Sequence, residues 1–412
     1  MKIALVHDWL IRLGGAERVL IALHKIFPEA PVYTLFYSKK FVSRELPGAK
    51  IIPSFLQKIP RIQKFYPWFK ILMPSAVESL DLSDFDVVIS SSHEVSHGVL
   101  VKQKTKHICF YHSPSRILWD RTHEYVVDFR ERAAGEFKLS LIRLGQHFLR
   151  LWDWQAGQRP DISVANSKYV AERLKKYYGR EAKVIYPPVA LGEHSARSFS
   201  GIPAMPSEGV GRFASLPLGP SQNGLRIRSP NIPPRLLKNY FLIVSQLYPH
   251  KNIDLAVEAF KFLNDLNLVI VGEGPEKKRL KKMIGDSVNI KLLGFVPDEK
   301  LAYYYQNCLA YIICNEEDFG ISPIEAFSFG KPVLAFKLGG AAETNLKGVT
   351  GEFFEHSKPE LLAEAIKAFN KNIKNGVYVP EIIKEHSRKF GFERFKKEIL
   401  DLVPGLGYNE KT

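Results

Sequence analysis

Short apolar runs rich in β-branched residues alternate with amphipathic stretches along the first half of the chain. A run of this kind between turn residues predicts a buried strand, and a period of three to four residues predicts a helix. The predicted strands of this half are residues 2–6, 32–36, 87–90, 107–112, 162–166 and 183–186. Strands separated by helices imply a parallel sheet.

The same alternation restarts in the second half. Its predicted strands are residues 240–245, 267–272, 290–293, 310–314 and 332–336. We therefore predict an α/β fold with two doubly wound parallel-sheet domains, over residues 1–190 and 237–386. Residues 191–236, rich in Gly, Pro, Ser and Arg, follow neither period and are predicted to be a connector. Residues 387–412 are expected to form a closing helix that returns to the first domain.

The composition is that of a globular protein, since 45% of the 412 residues are hydrophobic and 25% are charged. Global disorder and a collagen-like structure are thereby excluded. The formal charge is +15, and most of the excess lies in residues 1–190, which hold 29 basic and 18 acidic side chains. We expect this half to meet any anionic partner.

The sequence predicts a cytoplasmic location. No apolar stretch approaches the ~20 residues that span a bilayer. His7, Asp8 and Arg12 interrupt the N-terminus where a signal peptide would be apolar. The three cysteines lack metal-ligand spacing and are interpreted as core residues in a reducing compartment.

Two strand-to-helix junctions carry candidate phosphate contacts. Gly14 and Gly15, which lack side chains, would let backbone amides at a helix start approach a phosphate closely. The full G-x-G-x-x-G pattern is absent, so a plain connecting turn is the other interpretation. Lys251 holds the matching position in the second half, where its ammonium would face either a diphosphate or solvent.

Residues 314–326 hold two carboxylates eight residues apart, Glu317 in a loop and Glu325 in the following helix. Carboxylates accept hydrogen bonds from sugar hydroxyls, and amides near Gly320 can donate to hydroxyl or phosphate oxygens. The loop therefore suits a sugar phosphate. The adjacent acids Glu316 and Asp318 fit a solvated helix cap equally well.

In order and spacing, these motifs resemble the retaining nucleotide-sugar glycosyltransferases of family 4. That family has the GT-B architecture, in which two Rossmann-like domains face each other across a cleft. The most specific element is the Glu317-x7-Glu325 pattern. It is supported by Lys251 and by residues 7–9, 14–15, 90–93, 112–116, 166–170, 272–275 and 337–344. The set is similar to the bacterial polysaccharide mannosyltransferase-like branch.

The resemblance implies a role for each matching residue. Glu325 would bind the ribose hydroxyls of the nucleotide, Glu317 the transferred sugar, and Lys251 the departing diphosphate. The implied catalytic residues are Glu317, Lys251 and His112, which would sit beside the donor sugar. The other implied donor contacts are Gly14, Gly15, Gln246, Gly272, Phe295, Val296, Phe319, Gly320 and Ile321. Cations and amides aimed at a departing diphosphate would lower the barrier to glycosyl transfer.

Three positions leave alternatives open. Gln246 stands where the family usually carries Arg, so the diphosphate site lacks one cation unless Lys337 or Arg12 supplies it. His93 and Arg116 are the acceptor-side candidates. For His93 the other interpretation is a local hydrogen bond. For Arg116 the other interpretation is an ion pair with Asp120, four residues further on.

The resemblance also implies the substrates. The donor would be GDP-mannose or a UDP-sugar, and the acceptor a surface-polysaccharide or polyprenol-linked saccharide. No Asp-x-Asp motif stands where this architecture would hold a metal, so neither a metal nor a bound cofactor is expected. A sugar-nucleotide epimerase of the same architecture and a catalytically weakened anionic-surface binding module are the alternatives.

Residues 53–72 interleave basic with aromatic and aliphatic side chains and contain no acid. Basic groups attract anionic headgroups and Trp and Phe settle at the interface, so we expect a peripheral membrane contact. A helix packed on the first domain, with its lysines in water, is the other interpretation. Single-stranded nucleic-acid binders show similar interleaving, but no recognition fold accompanies it, and no nucleic-acid partner is expected.

Overall fold

The computed structural model describes residues 1–123, 136–189, 239–403 and 405–406. Within these residues the chain forms two parallel sheets, which confirms the predicted α/β class with two doubly wound domains. The predicted connector, residues 191–236, lies outside the described residues.

The first sheet is built from seven strands. They are β1 Ile3–Leu10, β2 Val32–Tyr37, β3 Ile51–Pro53, β4 Val87–Ser92, β5 Lys106–Tyr111, β6 Ile162–Ala165 and β7 Lys183–Val184. Their order is β3-β2-β1-β4-β5-β6-β7, and every pairing is parallel. The α-helices described in this half are α1 Gly15–Ile26, α2 Lys39–Glu45, α3 Ile62–Phe65, α4 Met73–Glu78, α5 Glu136–Ala156 and α6 Lys168–Tyr178. Shorter 3-10 helices span Phe55–Lys58, Tyr66–Leu72 and Ser96–Gly98.

The second sheet has six strands. They are β8 Tyr240–Val244, β9 Asn267–Val271, β10 Ile290–Gly294, β11 Ala310–Ile313, β12 Val333–Phe336 and β13 Gly351–Phe354, in the order β10-β9-β8-β11-β12-β13. A 3-10 helix spans Pro249–Lys251. The α-helices are α7 Ile253–Lys261, α8 Lys277–Ile284, α9 Asp298–Asn307, α10 Ile321–Ser328, α11 Ala341–Thr344, α12 Pro359–Lys374, α13 Pro380–Arg388 and α14 Phe392–Leu400.

Strand order reverses beside the first strand of each sheet. β1 lies between β2 and β4, and β8 lies between β9 and β11. In open parallel sheets the loops diverge at such a switch point and leave a crevice at the carboxyl ends of the strands. Each domain therefore offers a binding crevice at the same edge as the motifs.

The sequence pattern did not predict β3 or β13. Both are edge strands of three or four residues, too short for a two-residue period to stand out. Residues 53–72 also differ from the single packed helix considered above, because they form separate short helices, with Pro60 between the first and the second and Pro67 at the start of the third. A proline inside a helix removes a backbone donor and clashes with the preceding turn.

The two faces of the first sheet pack against different helices. One face, with Leu5 and Phe110, packs against α1 and α14, and Phe395 of α14 lies with its ring centroid 5.9 Å from that of Phe110. The other face, with Val6 and Val88, packs against the segment that includes α3 and α4 and against Trp152 of α5. Helix α14 therefore joins the core of the first domain.

Backbone bonds at one helix start link the two domains. Glu343, from the second domain, accepts hydrogen bonds from the backbone N–H groups of Lys168 (2.9 Å) and Tyr169 (2.6 Å) at the start of α6. Ser167 caps the same helix through Val170 N–H and donates its hydroxyl to the carbonyl of Asp318. The first turn of α6 is thus completed by a carboxylate from the facing domain.

Candidate functional site

The carboxyl ends of the two sheets open into one cavity of about 890 Å³ between the domains. All of the predicted catalytic and donor-binding residues line it. They are Gly14, Gly15, His112, Gln246, Lys251, Gly272, Phe295, Val296, Glu317, Phe319, Gly320, Ile321 and Glu325. The acceptor-side candidates His93 and Arg116 are not among the lining residues.

Lys251 and Glu317 form an ion pair on the second-domain wall, with Nζ 2.5 Å from Oε1. Burial alone would raise the pKa of Glu317, but the charge and hydrogen bond of Lys251, with a hydrogen bond from Asn315, bring the net pKa below its ordinary value. Glu317 is therefore ionised at neutral pH. The cavity presents a fixed carboxylate and a fixed ammonium side by side.

Glu325 projects from α10 into the same cavity. Its Oε2 accepts a hydrogen bond from the Tyr305 hydroxyl (2.8 Å), and its Oε1 lies 3.8 Å from the Arg18 guanidinium of α1. Arg18 belongs to the first domain, so this ion pair crosses the cleft. A ligand hydroxyl that binds Glu325 would compete with the Arg18 contact, which is the longer and weaker of the two.

The loop before α10 depends on a glycine. Gly320 has a φ of +85°, a left-handed conformation that costs an L side chain strain. Next to it, the Phe319 ring is buried and stacks on Tyr186 at 5.6 Å, so Phe319 offers a ligand its backbone. Across the cleft, a Cβ on Gly15 would lie 3.2 Å from Ile321 Cδ1, so the missing side chain lets α1 approach α10.

Of the two cations considered as replacements beside Gln246, only Arg12 is at the cavity. Arg12 donates to the Tyr248 hydroxyl across the cleft at 3.0 Å. Lys337 instead pairs with Glu355 at 2.5 Å on the surface and is not among the lining residues. Of these two, Arg12 is therefore the one that lines the cavity, together with Lys251 and other first-domain cations.

A chain of buried polar side chains leads from the first domain to His112. His112 Nε2 lies 2.8 Å from Ser91 Oγ, and His7 Nδ1 donates to the Ser91 carbonyl at 3.0 Å. Beyond His7 lies Glu17, with Oε1 3.8 Å from Nε2. Burial, with the charges of His7 and His93, holds the pKa of His112 well below its usual range, so His112 faces the cavity as a neutral imidazole.

Asp8 holds the loop of residues 93–96 in the first domain through hydrogen bonds to its backbone. Its carboxylate accepts four backbone N–H bonds, from His93, Glu94, Val95 and Ser96, at 2.7 to 3.0 Å. His93 Nδ1 lies 2.8 Å from the same carboxylate. Burial opposes charge on His93, but the Asp8 carboxylate outweighs it and raises the pKa of His93 to about 9. His93 therefore makes the local contact that was its alternative interpretation.

Arg116 also takes the pairing considered for it. Its Nε lies 3.4 Å from Asp120 Oδ2, and its guanidinium lies 3.9 Å from Asp318 of the second domain. Arg173 bonds both acids, at 2.9 and 2.7 Å. This network of ion pairs joins the two domains beside the cavity. An acceptor-binding role for Arg116 or His93 stays a prediction.

Sequence reasoning gave no role to Asp8, Glu17 or Ser91. His7 and Ser91 meet because the strand register pairs them across β1 and β4, and that register is known only from the folded sheet. Within residues 1–123, 136–189 and 239–403, no group of three His, Cys, Asp or Glu side chains is placed to hold a metal ion. None of the described helices is both long and apolar enough to cross a bilayer.

Two family models match the chain. Residues 13–193 match Glycosyltransferase Family 4, and residues 229–386 match Glycosyl transferases group 1. The first match spans β2 to β7 of the first sheet, and the second match spans all six strands of the second sheet. The first half of the chain is therefore similar to Glycosyltransferase Family 4, and the second half is similar to Glycosyl transferases group 1.

Similar proteins agree with this assignment. An uncharacterized glycosyltransferase of Methanocaldococcus jannaschii is 28% identical over 159 residues, 38% of this chain and 45% of that protein. The match thus spans under half of that relative's length. The alpha-1,3/1,6-mannosyltransferase ALG2 of Candida glabrata is 22% identical over an alignment of 466 positions, which covers 97% of this chain and 91% of that protein.

Among solved structures, Anabaena HepE in complex with UDP and glucose superposes with a TM-score of 0.64. Its identity is 18%, and the superposition covers 98% of this chain and 100% of that one. At this identity the likeness establishes the fold, which is GT-B.

Proposed function

We propose that the protein transfers a hexose from a nucleotide sugar to a saccharide acceptor. The observation that carries the proposal is the meeting of Lys251, Glu317 and Glu325 in one interdomain cavity with the helix start at Gly14 and Gly15. A nucleotide sugar presents ribose hydroxyls, a diphosphate and a hexose in series. Carboxylates suit the two sugars, and a cation with backbone amides suits the diphosphate.

The charges of the cavity fit the transition state of glycosyl transfer. Positive charge grows on the hexose ring as its bond to the diphosphate breaks, and negative charge grows on the diphosphate. Lys251 and Arg12 would stabilise the leaving group, and Glu317 would hold the hexose from the opposite end of the ion pair. Fixed groups of this kind need no reorganisation during reaction.

We propose that transfer retains the anomeric configuration by departure and attack on the same face of the hexose. The bond between the anomeric carbon and the diphosphate oxygen breaks, the acceptor hydroxyl forms the new bond, and its proton passes to the leaving phosphate oxygen. A double displacement would require a carboxylate nucleophile on the far face, and Glu317 is already engaged with Lys251.

We propose GDP-mannose as the donor and a lipid-linked or surface-polysaccharide saccharide as the acceptor. The choice of a mannosyl group is supported by the whole-length similarity to a mannosyltransferase, which is 22% identical. The lipid-linked acceptor is supported by residues 53–72, where Trp68 is 71% exposed and Lys58, Arg61 and Lys64 are also exposed. This segment would contact the anionic cytoplasmic face of a membrane.

The first test is incubation of the purified protein with GDP-mannose or UDP-glucose, with and without a polyprenol-linked saccharide. We expect sugar transfer with GDP-mannose only when acceptor is present. Isomerised sugar nucleotide without acceptor would identify an epimerase. Absence of any sugar product, together with absence of nucleotide binding, would contradict the proposal.

The second test compares thermal stability with GDP, UDP and their sugar derivatives. A ligand at 100 times its dissociation constant stabilises the folded protein by about 2.7 kcal/mol. We expect a larger shift with GDP compounds, and a much smaller one in Glu325→Gln, because the ribose contact is lost. A larger shift with UDP compounds would reassign the donor while leaving the transfer proposal in place.

A further inference from the structure

Helix α5 carries an exposed apolar stripe on the first domain. Leu141, Leu144, Phe148 and Leu151 follow one another at spacings of three and four residues, which places them on one side of the helix. Their exposed fractions are 52%, 52%, 57% and 56%. A side chain cluster of this kind is unusual on the outer side of a surface helix, where polar residues are expected.

The stripe lies opposite the side of α5 that packs on the domain. Gln146 and Asp153 are buried there, Gln146 donates to the Ile117 carbonyl, and Asp153 accepts from Trp119. Leu139 is buried on the same side, so the helix is held there by both polar and apolar side chains while the apolar stripe faces outward. Amphipathic surface helices normally present polar residues on their outer side.

The charge around the stripe is positive. Residues 137–152 contain no acid, and Arg143 beside the stripe is exposed. Residues 53–72 also contain no acid and expose Phe65, Trp68 and Ile71. Both segments combine apolar side chains with basic ones.

The two segments cover the same face of the first sheet. Trp152 of α5 packs in the cluster that contains Val88 and Phe69, on the face opposite Phe110. Their exposed side chains thus belong to the outer side of one helical layer. We call the stripe and the exposed apolar residues of 53–72 together the basic apolar surface.

Helix α5 is tied to the first-domain wall of the cleft. Arg150 of α5 donates to the Leu118 carbonyl at 2.7 Å, and Leu118 lies six residues after the cavity residue His112. The loop from His112 to Leu118 therefore connects the cleft to α5 directly. This contact ties α5 to the loop that follows the cavity residue.

We propose that the basic apolar surface docks on an anionic lipid bilayer, with the α5 stripe inserted at the headgroup boundary. This inference rests on the proposed transfer to a lipid-linked acceptor, which docking would bring to the cleft. Apolar side chains with flanking cations match the interface of an anionic membrane. A two-fold contact between copies of this chain would instead bring the basic groups of the two surfaces together.

The test is sedimentation of the full chain with vesicles of phosphatidylcholine and phosphatidylglycerol in a ratio of about 7:3. We expect the double variant Leu144→Gln and Phe148→Gln to lower the partition coefficient by at least about tenfold. The control is Phe262→Gln and Ile382→Gln on the second domain, where the exposed fractions are 54% and 52%. The control should partition as the wild type does.

Trp68→Gln with Ile71→Gln, in residues 53–72, tests the other part of the surface and should also weaken binding. Equal binding of the α5 variant and the wild type would overturn the inference. So would a wild-type dimer that the α5 variant converts to a monomer, because a second copy would then occupy the stripe.

Transfer to a water-soluble saccharide separates this inference from the proposed function. Wild-type protein that transfers sugar to the soluble acceptor but does not sediment with vesicles would overturn docking alone. Protein that sediments as expected but transfers no sugar to either acceptor would overturn the proposed function and support the surface.

Discussion

The two walls of the cleft are built on different principles. On the second-domain wall, Lys251 and Glu317 face the cavity and neutralise each other at 2.5 Å. On the first-domain wall, Asp8, Glu17 and Ser91 are buried behind the cavity, and His112 alone of their chain lines it. The second-domain wall presents both a carboxylate and an ammonium to a ligand. The first-domain wall presents cations such as Arg12 but keeps Asp8 and Glu17 buried, where they hold a loop and the imidazole chain.

This difference separates two kinds of effect. Loss of a group on the second-domain wall should change the reaction with little change in folding. Loss of a buried group on the first-domain wall should change the folding free energy or the orientation of His112. The predictions below test that separation, beginning with the largest expected effect.

Lys251→Ala should lower kcat by about 10²–10³-fold, because the departing diphosphate loses a fixed cation and Glu317 loses its partner. Steady-state kinetics with GDP-mannose and a saturating acceptor measure this. Lys337→Ala is the matched control, since Lys337 pairs with Glu355 away from the cavity. Similar rates in both variants would show that the second-domain wall does not act on the leaving group.

Asp8→Asn should lower the free energy of unfolding by about 3 kcal/mol, because four backbone donors and His93 lose a buried carboxylate. Urea denaturation followed by circular dichroism measures this. Asp81→Asn, at an exposed position, serves as the control and should shift stability by less than about 0.5 kcal/mol. Equal stability of the two variants would remove Asp8 from its structural role.

The raised pKa of His93 predicts a pH dependence of stability. The pKa is about 9 in the folded protein and 6.5 as the ordinary value, so the folded protein binds the proton more tightly. The stabilisation is complete below about pH 6.5 and is lost as the pH rises towards about 9. Urea denaturation between these limits should show a decline in the wild type that is reduced in His93→Gln. Parallel curves would contradict the Asp8 to His93 contact.

Ser91→Ala should lower kcat by about tenfold while the KM for the donor changes little, because His112 loses the contact that orients its imidazole. Ser91→Thr, which keeps the hydroxyl, should restore much of the rate. Ser90→Ala is the matched control, since Ser90 makes the same 2.8 Å contact with His107, a histidine that does not line the cavity. Equal loss in both alanine variants would indicate a general packing effect.

The second-domain wall was predictable from sequence because its groups follow local rules. Glu317 and Glu325 are eight residues apart across one loop and helix start, and Lys251 marks another strand-to-helix junction. Each strand predicted from its apolar run is present in the described structure. The roles of the cavity residues stay predictions until activity is measured.

The first-domain wall was not predictable in the same way. His7 and Ser91 are 84 residues apart and meet only because β1 and β4 are neighbours in a particular register. Asp8 likewise bonds a loop 85 residues away. The stripe on α5 was hidden for a related reason, since a helical period identifies an apolar side but not whether that side faces the core or the solvent.

The carboxylate of Glu343 at the start of α6 limits how this chain can be divided. A first half expressed alone, or joined to the second half of a relative without an acid at that position, would leave the Lys168 and Tyr169 amides without their acceptor. Chimaeras built by exchanging whole halves must therefore carry the helix start and its acid as a pair. In evolutionary terms, these two surfaces are constrained to change together.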